Sequence, residues 1–253
     1  NGGTNAPKEQ IKYQKEDIAL REEIPTRETY KFVGWSETQG SETAEYKAGG
    51  AYTLDKDVIL YAVWQKNAAK IDLNYNVDGT WYYSGYNNRI QTGIKVNGED
   101  QGYLNDFGQT YDYGTSYEIY GFKLDGEEIP YSKKYTVDGT NHLGIYFNTM
   151  NFTVNDESLG SISHEQLIVI PGITYKVTNS TITMSDGRIV TSSPKTVTGY
   201  TTKFTGYTIT PNSTTINAKT TVKANFTKEA NTYKVTLDNK GATTAGTTTI
   251  YEK

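Results

Sequence analysis

Two short segments that each end on a tryptophan constrain the fold of this chain more than any other feature. Residues 30–35 read YKFVGW, and residues 57–64 read DVILYAVW. Successive side chains of an extended strand point to opposite faces, so both segments would bury aromatic rings on at least one face. The pattern predicts a pair of β-strands around Trp35 and Trp64, and it carries no catalytic group.

Composition favours several small domains over one large core. The chain has 253 residues, 35% of them hydrophobic, and a mean hydropathy of −0.65. It has 22 tyrosines and no cysteine. Tyrosine buries its ring and keeps its hydroxyl in water, which suits thin β-layers. The absence of cysteine excludes disulfides and thiolate metal sites.

Strands that end on an aromatic residue recur along the chain, at Trp64, Phe147 and Phe226, roughly 80 residues apart. Each is followed by a short polar join and then by an alternating strand, which indicates a new module with one buried face. The pattern predicts a tandem array with four parts, which we call module one (residues 1–66), module two (67–149), module three (150–228) and the tail (229–253).

Tight-turn dipeptides support an array made mainly of β-strands. Asp-Gly or Asn-Gly pairs lie between β-prone runs at residues 78–79, 97–98, 125–126, 138–139 and 186–187. These pairs favour the turns whose twist suits a two-residue hairpin. No segment shows a convincing helical period. We therefore expect a mainly β protein whose small modules follow one another as beads on a string.

Three segments of module one carry a recognisable pattern: NGGT at residues 1–4, PTRETYKFVGW at 25–35 and LYAVW at 60–64. With these segments, residues 1–64 resemble the internalin B-type repeat, also called the Listeria–Bacteroides repeat, of bacterial surface proteins. Thr29 departs from it, because the family usually has glycine before the tyrosine. Residues 151–227 resemble a divergent form of the repeat in which Tyr207 replaces the tryptophan, and residues 229–253 resemble the start of a further repeat.

The resemblance implies β-grasp-like modules in a secreted or cell-wall-attached bacterial surface protein. Such a region would be non-catalytic, extracellular, and would act as a spacer or stalk with an adhesion surface for a protein or glycan partner. A glycan-binding module of an extracellular adhesin or enzyme is the alternative.

The tail can be laid on the start of module one without a gap. Asn239 then falls on Asn1, and Gly241 falls on Gly3. In this register the tail contains an opening strand that module one lacks, with Tyr233, Val235 and Leu237 on one face. Because unpaired sheet edges recruit strands, we expect an open edge in module one and head-to-tail self-association through the C-terminal strand. A tail that is merely frayed is the alternative.

Other chemistry finds little support in the sequence. The chain has two histidines, no His-x-x-x-His spacing and no nucleophile or phosphate-loop motif, so we expect no catalytic residue, cofactor or metal site. The net charge of −4 is spread along the chain without a basic stripe, which argues against nucleic acid. No apolar run approaches the length of a membrane helix, so we expect no membrane insertion.

The densest aromatic cluster supplies the candidate binding residues Trp81, Tyr82, Tyr83 and Tyr86. Exposed tyrosine and tryptophan rings stack on sugars and anchor protein partners. Alternatively, alternate members of the cluster fill a small core that lacks leucine. Trp81 follows an Asp-Gly turn and is the tryptophan expected to be exposed, whereas Trp35 and Trp64 are expected in the core.

Overall fold

The protein is built entirely of β-strands in the part of the chain that the structure describes. This computed structural model describes residues 2–83, 86, 88–139, 142–236 and 249–252. These residues form 22 strands in several small sheets and no helix. The prediction of a mainly β chain of tandem modules is confirmed.

Module one contains two separate antiparallel pairs. In one, β1 (Ile18–Ala19) pairs with β3 (Ala51–Tyr52), and in the other, β2 (Tyr30–Ser36) pairs with β4 (Tyr61–Lys66). The sequence predicts a strand from residue 57, but β4 begins four residues later. Residues 58–60 lie outside any strand, and Ile59 is 68% exposed.

Module two contains seven strands before its closing strand: β5 (Ala68–Val77), β6 (Thr80–Tyr82), β7 (Ile90–Val96), β8 (Glu99–Leu104), β9 (Gly108–Asp112), β10 (Ser116–Leu124) and β11 (Glu127–Thr136). Four of them form a sheet in the order β11-β10-β7-β8, which packs against β5 and its neighbours. One core cluster joins side chains of both sheets. At its centre Tyr75 shares a 2.8 Å hydrogen bond with the Thr92 hydroxyl, and burial raises the pKa of Tyr75 to about 12.

Module three contributes eight further strands: β13 (Gly160–Ile162), β14 (Gln166–Val169), β15 (Ile173–Thr178), β16 (Thr181–Met184), β17 (Ile189–Pro194), β18 (Tyr200–Thr210), β19 (Thr215–Ile216) and β20 (Thr220–Ala230). Five of them form a sheet in the order β13-β17-β16-β15-β19. The side chains of Met150, Ile182 and Val222 meet in a second core cluster, and Phe226 belongs to a third.

A single long strand, β12 (His142–Val154), runs through modules two and three. Its first half pairs in parallel with β5, and its second half pairs in parallel with β20. The result is one seven-stranded sheet, with the path β18-β20-β12-β5-β6 and with β14 and β9 paired beside it. The polar join expected at Asn148 and Thr149 is therefore the buried middle of a strand, with these residues 8% and 2% exposed.

The tail begins within the last residues of β20 and continues with a two-stranded antiparallel pair. In it, β21 (Tyr233–Thr236) pairs antiparallel with β22 (Thr249–Glu252). All four residues of β21 are exposed. Leu237, which we expect on the same face as Tyr233 and Val235, lies outside the described residues.

Modules one and three share a detailed local geometry around their aromatic strand pairs. The β2–β4 pair has a bulge between Phe32 and Gly34, and the β18–β20 pair has one between Phe204 and Gly206. In module one the Phe32 ring lies 4.9 Å from Trp35 and 5.8 Å from Trp64, both edge to face. The matching ring distances in module three, from Phe204 to Tyr207 and to Phe226, are 4.8 and 5.6 Å.

The same turn precedes the paired strands in both modules. The Tyr30 backbone amide donates to the Arg27 carbonyl at 3.2 Å, and the Tyr200 backbone amide donates to the Val197 carbonyl at 3.0 Å. The residue before each tyrosine has a left-handed backbone, with φ of 62° at Thr29 and 78° at Gly199. Glycine adopts this conformation without a steric penalty, whereas a β-branched residue is strained there. Thr29 therefore occupies a position whose geometry favours glycine.

Hydrogen bonds correct the repeat spacing inferred from the aromatic residues. The Asp78 amide donates to Phe147 at 3.1 Å, and its carboxylate accepts from the Thr149 amide at 2.9 Å. In module three the Asn155 amide donates to the Ala224 carbonyl at 3.0 Å, and its side chain accepts from the Phe226 amide at 2.8 Å.

These paired contacts place Thr149, and not Phe147, at the position of Phe226. The sequence aligned Phe147 with Phe226, which is wrong by two residues. The error arose because both closing strands contain a buried phenylalanine, 1% and 2% exposed, and sequence alone does not show the register.

Candidate aromatic binding surface

The candidate aromatic residues follow a tight hairpin at the edge of the seven-stranded sheet. Asp78 and Gly79 both have positive φ, 50° and 89°, as the hairpin turn requires. The turn leads into β6, the edge strand, whose alternation sends Trp81 and Tyr82 to opposite faces.

Trp81 and Tyr146 form an exposed pair of rings on the outer face of this sheet. They are 43% and 56% exposed, and their centroids lie 5.4 Å apart at 67°. Asn76 stands between them in register, because it pairs with Trp81 across β6 and with Tyr146 across β12. A Cβ at Gly144 would lie 2.8 Å from the Trp81 ring, so the missing side chain leaves the ring room to lie against the sheet. We call Trp81 and Tyr146 the aromatic platform.

The four candidate residues divide between two environments. Tyr83 is 76% exposed and Trp81 is 43% exposed, so both are open to solvent. Tyr82 and Tyr86 are half-buried, lie edge to face at 4.6 Å and pack against the core of module two. The Arg89 guanidinium lies 5.6 Å from the Tyr86 ring. The structure therefore brings Trp81 to a surface with Tyr146 and keeps Tyr82 and Tyr86 as supports beneath.

Sequence reasoning missed Tyr146, which lies 65 positions beyond Trp81 and meets it only through sheet pairing. A signal was present in the alternation of HLGIYF, residues 142–147, where Gly144 and Tyr146 share a face. Without the register of β12 against β5 and β6, that face could not be assigned to the surface that carries Trp81.

A second tyrosine pair, on the four-stranded sheet, covers two glycines. Tyr103 and Tyr120 lie 5.4 Å apart and pack over two glycines of the neighbouring strands. A Cβ at Gly93 would lie 2.7 Å from Tyr120, and one at Gly121 would lie 2.9 Å from Tyr103. Both rings are half-buried, so they fill the space above the glycines and offer less accessible area than the aromatic platform.

The tryptophans expected in the core of module one are only partly covered. Trp35 and Trp64 are both half-buried. The indole nitrogen of Trp64 is buried without a hydrogen-bond partner in the structure. Buried indole N–H groups usually donate a hydrogen bond, so this one marks an incompletely satisfied site.

The remaining candidates for chemistry are dispersed. The exposed His164 shares a 2.8 Å hydrogen bond with its neighbour Ser163, and the His142 side chain lies outside the described residues. Among the residues that the structure describes, no three histidine or acidic side chains are grouped to hold a metal ion. Within the same ranges, no helix is long and apolar enough to cross a membrane.

One part of the chain is similar to a known protein family. No curated protein and no solved structure matches the chain. Residues 1–63 match the model of the Listeria-Bacteroides repeat domain. The match supports the coarser part of the sequence prediction: residues 1–63 are similar to a repeat that is found in bacterial surface proteins.

Proposed function

We propose that this chain is a non-catalytic repeat region that acts as a stiff spacer in a secreted or cell-wall-attached bacterial surface protein. The family match of residues 1–63 supports the extracellular setting. The single observation that carries the spacer role is the continuity of β12 through modules two and three. A spacer needs to hold its ends apart, and a shared strand resists bending more than a flexible join does.

Contacts around β12 add to this stiffness. At the end of module two, the Thr149 amide donates to the Asp78 carboxylate at 2.9 Å and holds β12 just before the boundary. Arg89 of module two hydrogen-bonds Gln166 of module three. Ile168 of β14 lies in the core cluster of module two. Bending at this boundary would break hydrogen bonds and open a core, whereas bending a polar linker would cost neither.

We further propose that module one is an internalin B-type repeat with a β-grasp-like fold, that module three is a divergent copy and that the tail starts another. The bulges after Phe32 and Phe204, and the matched ring geometry beside them, support the relation between modules one and three. Module boundaries at residues 66, 149 and 228 follow from this assignment.

A distance measurement between modules two and three tests the stiff spacer. Lys134→Cys on β11 and Thr183→Cys on β16 are exposed positions, and the chain has no other cysteine to label. Spin labels at this pair are expected to give one narrow distance distribution by pulsed electron paramagnetic resonance. A pair within module three, Thr183→Cys with Thr221→Cys, supplies the width expected inside one rigid body.

Insertion of two glycines between residues 148 and 149 is the matched perturbation. The insertion interrupts β12. It is expected to broaden the distribution of label-to-label distances between modules two and three, and to leave the distance distribution within module three unchanged. A distribution in the unmodified chain that is as broad as in the insertion variant would refute the stiff spacer.

A second function, glycan or protein binding, is favoured by the aromatic platform. Two rings on an open sheet face, 43% and 56% exposed, offer flat apolar surface to the C–H faces of a sugar ring. The open sheet face around Gly144 suits an extended chain better than a small molecule. An adhesion surface on a spacer needs only this kind of shallow contact.

Binding to a glycan array separates the two functions. If the platform binds glycans, Trp81→Ala and Tyr146→Ala are each expected to weaken binding at least tenfold, because each removes a stacking face. Tyr200→Ala in module three, which is 41% exposed, is the matched control and should leave binding unchanged. An array without hits would contradict glycan binding and leave the spacer role unaffected. Glycan binding that survives both Trp81→Ala and Tyr146→Ala would show that the aromatic platform is not the binding site.

A further inference from the structure

We propose that residues 143–147 of β12 form an open edge that accepts an extended segment of a partner protein as an antiparallel strand. The segment would take, beside β12, the place that β18 takes beside β20. The contact is made by the backbone of β12 and not by the rings of the aromatic platform. It can therefore fail without the failure of the spacer role or of glycan binding.

The closing strands of modules one and three each have an antiparallel partner that precedes them in the chain. β4 pairs with β2, and β20 pairs with β18. On its other edge β20 pairs in parallel with β12, so β20 lies between two neighbours. Module three thus covers both edges of its closing strand with strands of the same chain.

In module two the first half of β12 has a strand neighbour on one edge only. Among the described residues, positions 142–147 pair with β5 and with no other strand. β10 and β11, which precede β12 in the chain, pair with each other in the four-stranded sheet instead. β14 and β20 pair with β12 only from residue 148 onward. Within that part of the chain, the position that corresponds to β18 holds no strand.

A backbone hydrogen bond shows which groups face the open edge. The Asp78 amide donates to the Phe147 carbonyl at 3.1 Å, so Phe147 directs its backbone groups toward β5. Successive residues of a paired strand direct their backbone groups to opposite edges. Gly144 and Tyr146 therefore direct their N–H and C=O groups away from β5. An added strand pairs with groups of this kind.

Side-chain exposure agrees with a missing neighbour. Because the Asp78 bond to Phe147 matches the Asn155 bond to Ala224, Ile145 corresponds to Val222 of β20. Val222 lies opposite a residue of β18 and is 0% exposed, whereas Ile145 is half-buried. An apolar side chain of the module two core is thus left partly uncovered where β18 covers its counterpart.

A buried amide without a partner lies at the end of the open edge. In module three the Asn225 side-chain amide donates to the hydroxyl of Thr208, on β18, at 3.0 Å. The counterpart of Asn225 in β12 is Asn148, which is 8% exposed and whose Nδ2 has no hydrogen-bond partner in the structure. Buried amide groups usually have a partner. The strand that supplies the acceptor in module three is the one that module two does not supply.

Modules one and three indicate the chemistry of the segment that fits. Ser36 of β2 and Thr208 of β18 each stand two residues after the bulge glycine and directly after an aromatic residue. The two strands read GWS at residues 34–36 and GYT at residues 206–208. The partner segment should therefore be extended and carry a glycine, an aromatic residue and a serine or threonine in succession.

The composition of the open edge favours a partner segment over a second copy of the same edge. Residues 143–147 read LGIYF, without the charges or proline that protect natural edge strands from pairing. Their one hydroxyl is that of Tyr146. Threonine holds its oxygen next to the backbone, whereas the ring of tyrosine carries its oxygen away from it. Self-pairing would therefore leave the Asn148 amide without the acceptor that a threonine provides.

Hydrogen exchange by nuclear magnetic resonance tests the contact on the full chain. The probe is a synthetic peptide of residues 205–210, TGYTIT, which in the register of module three spans residues 144–148. Peptide binding is expected to slow exchange of the Gly144 and Tyr146 amides at least tenfold. The Ile145 amide, which faces β5, is the internal control and should exchange at an unchanged rate.

Two N-methylated peptides distinguish strand pairing from other contacts. Thr208 lies opposite Lys223, the counterpart of Tyr146, so its amide would face β12. The Ile209 amide would face away from β12. N-methylation at Thr208 is expected to weaken binding at least tenfold relative to N-methylation at Ile209, because only the first removes a bond between the strands. Equal affinities would contradict strand pairing.

A pair of substitutions tests the role of Asn148. The peptide with Thr208→Val should bind the unmodified chain about three- to tenfold more weakly, as expected for the loss of one hydrogen bond. Both peptides should bind the Asn148→Ala chain with equal affinity, and circular dichroism would confirm its β-structure. Tyr146→Ala removes a ring of the aromatic platform but keeps the backbone, so it should leave peptide binding within about twofold.

Four results would overturn the proposal. Gly144 and Tyr146 amides as protected as Ile145 in the free chain would show that the edge is already covered. Protection that appears without peptide, as the chain concentration rises, would assign the edge to a second copy. Peptide binding that protects neither amide would place the contact elsewhere. A peptide that does not bind would remove the basis for the site.

Discussion

Asp186→Ala is expected to lower the free energy of unfolding by about 3–5 kcal/mol, because it leaves a buried guanidinium without its counter-charge. The Arg188 and Asp186 side chains are only 7% and 3% exposed. Arg188 donates to one carboxylate oxygen through Nε at 3.0 Å and Nη2 at 2.6 Å, and through Nη1 to the Ile168 carbonyl at 2.8 Å. The pair thus ties the β16–β17 turn to β14 of the seven-stranded sheet.

Urea denaturation followed by circular dichroism measures this loss. Replacing both partners, Asp186→Ala with Arg188→Met, should recover most of it, since no charge then remains buried. The exposed pair Lys203–Glu229, whose side chains are 57% and 69% exposed, supplies the control. Glu229→Ala there should cost no more than about 1 kcal/mol. Equal losses at the two sites would show that the Arg188 contacts stabilise no more than a surface pair.

Phe226→Ala is expected to destabilise module three by about 3–5 kcal/mol, the usual range for removing a buried aromatic ring. Phe226 is 2% exposed and meets the Phe204 ring at 5.6 Å. Gly160 packs directly beneath it, at a spacing that leaves no room for a Cβ. A cavity at this point would separate β13 from β20, because the ring fills the space between them.

The matching change in module one, Trp64→Ala, should cost less. Gly3 lies against Trp64 as Gly160 lies against Phe226, and a Cβ on Gly3 would be 2.6 Å from the indole. Trp64 is nevertheless only half-buried, so its removal opens a smaller cavity. Thermal unfolding of both variants gives the comparison, with Tyr200→Ala as an exposed aromatic control. A larger loss for Trp64→Ala would contradict the view that module one is incompletely covered.

Local features of the fold were predictable because they depend on neighbouring residues. The Asp78-Gly79 turn produces the hairpin that its dipeptide predicts, and the segment around Phe32 forms the expected strand. The prediction that Trp81 is exposed agrees with its 43% exposure. Each of these depends on backbone preferences or on alternation within about ten residues.

Features that depend on pairing between distant strands were not predictable. Sequence placed a polar join at Asn148, but the parallel partners β5 and β20 hold both sides of that join in one strand. The same pairing brings Tyr146 beside Trp81 and moves the counterpart of Phe226 to Thr149. Strand register is fixed by contacts between segments that are far apart in the sequence, so patterns among neighbouring residues do not reveal it.

The parallel arrangement of opening and closing strands has a consequence for a chain under tension. Pulling the start of β5 and the end of β12 in opposite directions slides two parallel neighbours past each other, so their hydrogen bonds are loaded together in shear. A hairpin pulled at its open end would instead unzip one bond at a time. β12 with β20 repeats this geometry in module three, and the shared strand passes the load from one module to the next. The proposed spacer would therefore resist extension when it is pulled along its strands.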